Sequence, residues 1–215
     1  MSAATGTHDA VQRTIDICVA ATVLVVLAPV LLGVAALVAL GIGRPVLFRQ
    51  PRPGRQGRVF TLVKFRTMLD VDEQRGLVTD ADRLPALGRF LRATSLDELP
   101  TMWNVLRGDM SMVGPRPLLV RYLELYTPEQ ARRHLVRPGV TGLAQVRGRN
   151  SLSWEEKFAL DVWYVDHRSI ALNARICVET IRMVVRRDGI TAAGNVTMPE
   201  FTGSTQSGQR GANNA

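Results

Sequence analysis

The sequence has few cysteines and no cysteine motif. Its two cysteines, Cys18 and Cys177, belong to no CxxC pair and no Cys/His cluster, which excludes a structural zinc module and a disulfide framework. We expect both to be small, buried apolar residues in a protein that works in a reducing, cytoplasmic setting. The sequence also has no internal repeat, and its 215 residues suffice for one globular domain with an appendage.

Acidic residues are too few to balance the basic ones. The chain has 19 Asp and Glu against 27 Lys and Arg, a net charge of +8 and a pI of about 10.6. Such a surface should attract nucleic acid, an anionic membrane leaflet or a phosphorylated substrate. The sequence contains no recognisable DNA-recognition helix or zinc module, so we expect no nucleic-acid partner.

Charge is missing altogether between Ile17 and Ile42. This run exceeds the roughly 20 residues that a spanning helix needs. It is also longer than a signal-peptide core, and it therefore predicts a membrane segment. Pro29 lies near its middle and should kink the helix. Arginines flank both ends, so the positive-inside rule gives no orientation. A kinked span and a re-entrant segment that turns near Pro29 both remain open.

The rest of the chain predicts an α+β domain. Residues 46–50 and 59–65 are typical of short strands, and the basic turn at 51–58 predicts a β-hairpin close to the membrane. Its arginines fit either a solvated loop or a loop that faces lipid headgroups. Helical spacing and end signals predict helices at 84–91, from about 97 to 108, and at 122–134, 153–167 and 172–187.

The helix predicted at 153–167 begins with Ser153-x-x-Glu156, which matches a capping box. Its aromatic side chains suit either a membrane interface or the core, and they are Trp154, Phe158, Trp163 and Tyr164.

Two adjacent carboxylates, Asp97 and Glu98, form what we call the acid pair. Ser95-x-x-Glu98 matches a capping box, although Pro100 also allows a helix that starts nearer Asp97. A helix start gathers free N–H groups and partial positive charge, which favour ionised carboxylates and phosphate groups alike. The residues alone leave open whether the acid pair caps a helix or serves a phosphate site.

The residue types near the acid pair suit phosphate chemistry. A carboxylate can attack phosphorus when it is ionised, which a helix start and Arg92 would favour. A second carboxylate can hold Mg²⁺ against a diphosphate. Pro115 and Pro117 hold Arg116 in a rigid, extended backbone that suits phosphate binding. Lys64 could neutralise further phosphate charge.

At this point the motifs carry a resemblance. The sequence resembles the bacterial sugar transferase family, in particular its small monotopic phosphoglycosyl transferases. The matching segments lie in order between about residue 10 and residue 203, and they are PVLFRQ at 45–50, KFRTM at 64–68, TSLDELP at 94–100, WNVLRGDMS at 103–111, VGPRP at 113–117, RPGVTG at 137–142 and SWEEK at 153–157.

The resemblance implies a reaction and its residues. A sugar-1-phosphate would pass from a UDP-sugar to polyprenol (undecaprenyl) phosphate, releasing UMP and requiring Mg²⁺. Asp97 would be the nucleophile of a covalent aspartyl intermediate, and Glu98 would support the metal beside it. The implied substrate-binding residues are Lys64, Arg92, Pro115, Arg116, Pro117 and Asp161. The family's anchor is re-entrant and breaks at a Ser-Pro pair, which here is Ala28-Pro29.

The resemblance also implies an organisation and a location. We expect an N-terminal extension at 1–12, a re-entrant membrane helix at 13–43, a catalytic domain at 44–203 and a disordered tail at 204–215. The compact domain would lie on the cytoplasmic face of the bacterial inner (plasma) membrane. Larger relatives carry a multi-span extension, so this chain is expected to be a minimal catalytic form.

The implied reaction is the first membrane step in making a surface glycan, whether exopolysaccharide, capsule, O-antigen or glycoprotein. The sequence leaves UDP-glucose, UDP-galactose and UDP-N-acetylated sugars open. Membrane lipids are expected partners, and downstream glycosyltransferases and a second copy of the chain are candidates. The alternative is a non-enzymatic, membrane-anchored module that binds anionic partners through its basic face.

Overall fold

The structure, a computed structural model, describes residues 2–148, 152–186 and 200–203. Helices and short strands are mixed within them, which confirms the predicted α+β class. The predicted disordered tail at 204–215 lies outside the described residues. The elements are α1 (Ser2–Val26), α2 (Ala28–Gly41), β1 (Leu47–Pro53), β2 (Val59–Phe65), α3 (Ala86–Ala93), α4 (Thr101–Arg107), β3 (Ser111–Val113), α5 (Pro128–Ala131), β4 (Gly139–Thr141), α6 (Leu143–Arg147), α7 (Trp154–His167) and α8 (Ile170–Arg186).

Helices α1 and α2 are separated by a sharp bend at Leu27. Pro29 causes it, because proline has no N–H to donate to the preceding turn and its ring crowds that turn. The chain bends by 64° there, which confirms the predicted kink. In the described part of the chain, no single helix has both the length and the apolar composition to cross a membrane. The bent pair Gly6–Val26 with Ala28–Gly41 meets both criteria, on length and composition alone.

Strands β1 and β2 form the predicted antiparallel hairpin. β1 extends beyond the predicted 46–50, through Pro51 and Pro53. Prolines are tolerated in an edge strand because their missing N–H groups need not pair on the outer side. The chain reverses between Gly54 and Arg58, where the Gly54 N–H donates to the Arg58 carbonyl at 2.8 Å.

Helix α4 lies along β2 and is fixed to it by side-chain hydrogen bonds. The Thr101 hydroxyl donates to the Val63 carbonyl at 3.0 Å. The Asn104 side chain accepts from the Val63 N–H at 3.0 Å and donates to the Thr61 carbonyl at 2.7 Å. These bonds satisfy edge groups of β2 that no strand pairs, and they set the direction of α4 along the hairpin.

Helix α1 also packs against α4. The Arg13 guanidinium donates to the carbonyls of Val105 and Leu106, at 2.5 and 2.6 Å, where α4 ends and has free acceptors. Buried Asp16 accepts the Met112 N–H of β3 at 3.0 Å. The first helix is therefore joined to the core by charged and polar groups as well as by apolar packing.

The second half of the chain surrounds a short parallel pair, β3 and β4. Helix α7 begins at the predicted capping box, in which Ser153 and Glu156 each bond the other's backbone. Helix α8 packs against the parallel pair, and α6 packs against both α7 and α8. Their shared core contains Val113, Val136, Leu143, Tyr164 and Ile176.

The single helix predicted at 122–134 is wrong. The segment forms a 3-10 turn at Val120–Leu125, the short helix α5, and a second 3-10 turn at Arg132–Leu135. Thr127 explains the interruption, because it restarts the helix with its own capping box just before a proline.

Two further expectations are settled by burial. Among the aromatic residues of α7, Phe158 and Tyr164 lie in the core, whereas Trp163 is 45% exposed. Trp154 packs against the cluster around Phe158. The prediction that both cysteines are buried is wrong, because Cys18 is exposed and Cys177 is only partly buried.

Candidate active site

The acid pair lies on a tight turn between α3 and α4. Ser95 has a left-handed backbone with φ of +56°, and the 3-10 turn Leu96–Glu98 follows it. The predicted capping box at Ser95 is wrong, because a capping serine needs an extended backbone and this one makes no side-chain cap. Helix α4 starts only at Thr101, after Pro100.

The docking of α4 on β2 places this turn beside Lys64. Asp97 is buried, with 5% of its surface exposed. The charges of Lys64, Arg116 and Arg92 all act on its carboxylate. No hydrogen bond to that carboxylate comes from any residue that the structure describes. The structure therefore brings three of the predicted substrate-binding residues together around one buried acid.

Burial, and after it the neighbouring charge of Glu98, raises the pKa of Asp97 to about 6. The three cations oppose this rise without cancelling it. The expectation that a helix start and Arg92 would favour the ionised form is therefore only partly right. Arg92 does favour it, but loss of water is the larger effect. A carboxylate with a pKa near 6 is ionised at neutral pH and is costly to keep so, which suits a nucleophile.

Glu98 differs from its neighbour in having a direct cationic partner. Its Oε1 accepts a hydrogen bond from the Arg116 guanidinium at 2.7 Å. The Glu98 side chain is 26% exposed and that of Arg116 is 49% exposed, so both groups can be reached from solvent. The charge of Glu98 raises the pKa of Arg116, which keeps the guanidinium charged. The two acids thus have distinct environments, one buried and one paired at the surface.

The backbone that carries Arg116 is held at three consecutive carbonyls. The Pro115 carbonyl accepts from the Gly139 N–H at 3.0 Å. The Arg116 carbonyl accepts from Arg133 at 2.7 Å, and the Pro117 carbonyl accepts from Arg52 at 3.3 Å. Both prolines are buried, while Arg116 is exposed. The arginine is therefore presented on a backbone that loses little freedom when it binds an anion, as the sequence predicted.

Arg133 is a residue that sequence reasoning missed. It is 3% exposed, and its guanidinium donates twice to one Asp161 carboxylate oxygen, at 3.0 and 2.7 Å. It also donates to the Arg116 carbonyl and to the Tyr126 hydroxyl. No local signal could have found this pair, because Arg133 and Asp161 lie 28 positions apart. Asp161 itself is buried, and its described partner is Arg133.

Two further cations complete the site. Burial lowers the pKa of Lys64, whose ammonium lies 5.4 Å from the centre of the Phe48 ring. Arg92 donates from Nε to the Thr67 hydroxyl at 3.0 Å, which fixes it next to the acid pair. Together with Arg116 they provide three positive groups facing one buried carboxylate, an arrangement that stabilises negative charge on a phosphate.

The oxygen ligands available at this site fit Mg²⁺ bound together with a phosphate ligand. Within the described residues there is no group of three or more His, Cys, Asp and Glu that could hold a metal. The acid pair supplies two carboxylates. Mg²⁺ is usually held by one or two carboxylates together with substrate phosphates and water, and not by a complete protein cage.

A comparison with protein families now identifies the class. The model described as bacterial sugar transferase matches residues 7–187. The chain therefore belongs to the bacterial sugar transferase family, and it is a transferase enzyme.

Individual relatives agree with this assignment. The chain is 56% identical over 164 residues to the "Uncharacterized sugar transferase EpsL" of Bacillus subtilis, covering 76% of this chain and 81% of that protein. It is 40% identical over 195 residues to the "UDP-glucose:undecaprenyl-phosphate glucose-1-phosphate transferase" of Caulobacter vibrioides, covering 84% and 72% respectively. It is 35% identical over 197 residues to the "Undecaprenyl-phosphate galactose phosphotransferase" of Salmonella typhimurium, covering 83% and 41%.

The relatives differ in length. The chain spans about four fifths of the Bacillus protein but less than half of the Salmonella protein. The matched region of this chain contains the acid pair, the Pro115–Pro117 segment and Asp161.

Proposed function

We propose that this enzyme transfers a sugar-1-phosphate from a UDP-sugar to polyprenol (undecaprenyl) phosphate and releases UMP. The observation that carries the proposal is the environment of Asp97. Its carboxylate is buried and has a raised pKa, and it faces Lys64, Arg92 and Arg116. A buried acid used only for structure would be paired by hydrogen bonds, whereas a nucleophile needs an oxygen that is left for the substrate.

The transfer proceeds in two displacements at one phosphorus. In the first, an Asp97 oxygen attacks the phosphorus that bears the sugar. A new bond joins that phosphorus to Asp97, the diphosphate linkage breaks, and UMP leaves with the bridging oxygen. In the second, a phosphate oxygen of the polyprenol phosphate attacks the same phosphorus. The bond to Asp97 breaks, which regenerates the carboxylate and yields a polyprenol diphosphate sugar.

The other site residues bind and orient the phosphates. Arg116 reaches the diphosphate from its fixed backbone, and Lys64 and Arg92 offset negative charge that gathers on the transferred group. Asp161 holds Arg133, which in turn holds the Arg116 carbonyl. Mg²⁺, when bound by the acid pair, would supply further positive charge to the diphosphate. Glu98 therefore both positions Arg116 and offers a metal ligand.

The second substrate is a lipid, and apolar surface near the bend suits a membrane location. Val25 is 75% exposed, Val26 66% and Leu32 73%, and Leu40, at the far end of α2, is 88% exposed. Large exposed apolar patches on a protein mark an interaction surface. We infer that α1 and α2 form a re-entrant anchor that turns at Ala28-Pro29 in the cytoplasmic leaflet of the bacterial inner membrane. The enzyme would then perform the first membrane step in assembling a surface glycan.

The proposal is tested by UMP release and by covalent labelling. The full-length protein is incubated with undecaprenyl phosphate, Mg²⁺ and each member of a UDP-sugar panel. Wild-type protein should release UMP with at least one sugar. It should also retain radiolabel from that sugar's phosphate when the lipid is omitted. Asp97→Asn should lose both signals while remaining bound to membranes.

Glu98→Gln is the matched control, because it neutralises the adjacent acid. It should retain weak labelling with an altered Mg²⁺ requirement, because Asp97 remains able to attack. Full activity of Asp97→Asn would exclude the covalent route. No UMP release with any UDP-sugar would favour the alternative of a module that only binds anionic partners.

A further inference from the structure

Arg55 and Arg58, in the arginine-rich turn of the hairpin, have no part in the proposed reaction. Arg52 leaves the turn to bond Gln50 and the Pro117 carbonyl. Arg55 and Arg58 instead line an open cavity of about 490 Å³ beside the turn. A cavity of this size is comparable to a small-molecule site. The turn therefore offers positive charge to a concave surface, not only to bulk solvent.

A third arginine enters the cavity from the other half of the chain. Arg137 lines it and is held by a hydrogen bond from its Nε to the Gly108 carbonyl at 3.0 Å. This bond uses one of the five guanidinium N–H groups and leaves the others for further acceptors. Burial lowers the pKa of Arg137, and the nearby positive charges of Arg13 and Arg55 lower it further, while the charges of Asp16 and Asp9 oppose this only in part. The arginines thus repel one another, and a bound anion would relieve that repulsion.

Acidic residues do not neutralise this cluster. Arg55 has one contact with Asp9, at 3.6 Å, and its side chain is 44% exposed. Arg58 makes no ion pair with any residue that the structure describes. Asp109 lines the cavity but lies 3.6 Å from Arg107, whose charge already offsets it. The cavity therefore has an excess of positive charge.

The cavity is remote from the acid pair. Asp97 precedes α4 and Gly108 ends it, so α4 and its preceding turn separate them by about 16 Å at 1.5 Å per residue. Along β2, Lys64 and Val59 lie about 17 Å apart at 3.4 Å per residue. The two estimates agree because α4 runs along the hairpin. A ligand in this cavity would not occupy the reaction site.

We propose that Arg55, Arg58 and Arg137 form a second anion site, which binds a phosphate group. Planar guanidinium groups bind phosphate oxygens through paired hydrogen bonds. Three guanidinium-bearing residues line this cavity, two from the hairpin turn and one from the segment before β4. The phosphate belongs either to a free phosphorylated molecule or to a lipid headgroup. Both sources offer the same chemistry to the arginines.

Arginine-selective modification with phenylglyoxal tests the site residue by residue. The full-length protein is placed in nanodiscs of zwitterionic lipid and modified with and without inorganic pyrophosphate at constant ionic strength. Mass spectrometry then gives the modification rate of each arginine. At a pyrophosphate concentration ten times the dissociation constant, the rate at Arg58 should fall about tenfold. Arg75, an exposed arginine paired with Asp72 on another loop, should react at an unchanged rate.

A variant and a second membrane complete the test. Arg55→Ala should raise the pyrophosphate concentration needed for protection of Arg58 by about tenfold, the loss expected for one charge-assisted bond. Its UMP release should stay unchanged, because the acid pair is remote. Protection of Arg58 by phosphatidylglycerol nanodiscs without pyrophosphate would identify a lipid headgroup as the source. An unchanged Arg58 rate in both arms would overturn the site, whatever the outcome at Asp97.

Discussion

Replacing Asp97 by asparagine should make the protein more stable at neutral pH while abolishing its activity. Asparagine has nearly the same shape as the acid and carries no charge, so it removes the cost of holding a carboxylate away from water. The folded-state pKa of Asp97 is about 6, against an ordinary value of 3.8. The folded protein therefore retains this proton to a higher pH than the unfolded chain does.

The sign and size of the effect follow from that difference. A raised pKa contributes stability that is fully present below the unfolded pKa and is lost as pH rises through the folded pKa. A difference of about two in pKa, at about 1.4 kcal/mol for each, corresponds to about 3 kcal/mol. Wild-type protein should lose most of this stability between pH 4 and 7.5, and Asp97→Asn should not lose it. The difference in the free energy of unfolding between Asp97→Asn and wild type should therefore widen by about 2–3 kcal/mol over that range.

Thermal unfolding of both proteins, measured in detergent across this pH range, checks the prediction. For a domain of this size, that free-energy difference corresponds to a difference in Tm of about 5–10 °C at pH 7.5. Glu98→Gln is the control and should have the opposite sign, because it removes the negative charge that pairs with Arg116. A difference in Tm between Asp97→Asn and wild type that stays constant from pH 4 to 7.5 would refute the claim that burial is the main influence on the pKa of Asp97.

Three more results follow from the same structure. The kcat/KM for the UDP-sugar should fall about tenfold for each pH unit below an apparent pKa of about 6, because Asp97 must be ionised to attack; a pH profile that stays flat down to pH 5 would contradict this. Asp161→Asn should cost about 3–5 kcal/mol in chemical denaturation, because it leaves Arg133 charged and buried without a counter-charge. It should also lower kcat, and unchanged kcat would show that the Arg116 backbone needs no such support. Ser95→Val should destabilise the protein by about 1–2 kcal/mol, because a β-branched side chain clashes in a left-handed backbone. Ser95→Gly should not destabilise the protein. Equal unfolding midpoints for Ser95→Val and Ser95→Gly would argue against a strained turn.

Two identical patterns show how far the sequence can predict local structure. Ser153-x-x-Glu156 and Ser95-x-x-Glu98 both match a capping box, but only the first forms one. Ser153 has the extended backbone that capping needs. Ser95 follows directly on α3 and must reverse the chain so that α4 can lie on β2, which forces a left-handed backbone. Tertiary packing therefore determines which of the two patterns forms a capping box, and the local sequence does not specify that packing.

The site itself was predicted in outline. Proline on both sides of Arg116 is a local signal for a rigid backbone, and the structure agrees with it. The raised pKa of Asp97 had no such signal, because burial depends on how α3, α4 and β2 pack. The role of Arg133 could not be predicted for the same reason, because it depends on an ion pair with Asp161, which is distant in sequence.

If α1 and α2 form the proposed membrane anchor, the attachment of α1 to the core has a practical consequence for making a water-soluble form of this enzyme. Arg13 bonds the last carbonyls of α4, the helix that follows the acid pair, and Asp16 bonds β3, the strand that leads to Arg116. A version trimmed at Gly43 would lose both bonds and leave those backbone groups without partners. Solubilisation should therefore alter the exposed apolar residues around the bend, such as Leu32, and keep the first four turns of the chain intact.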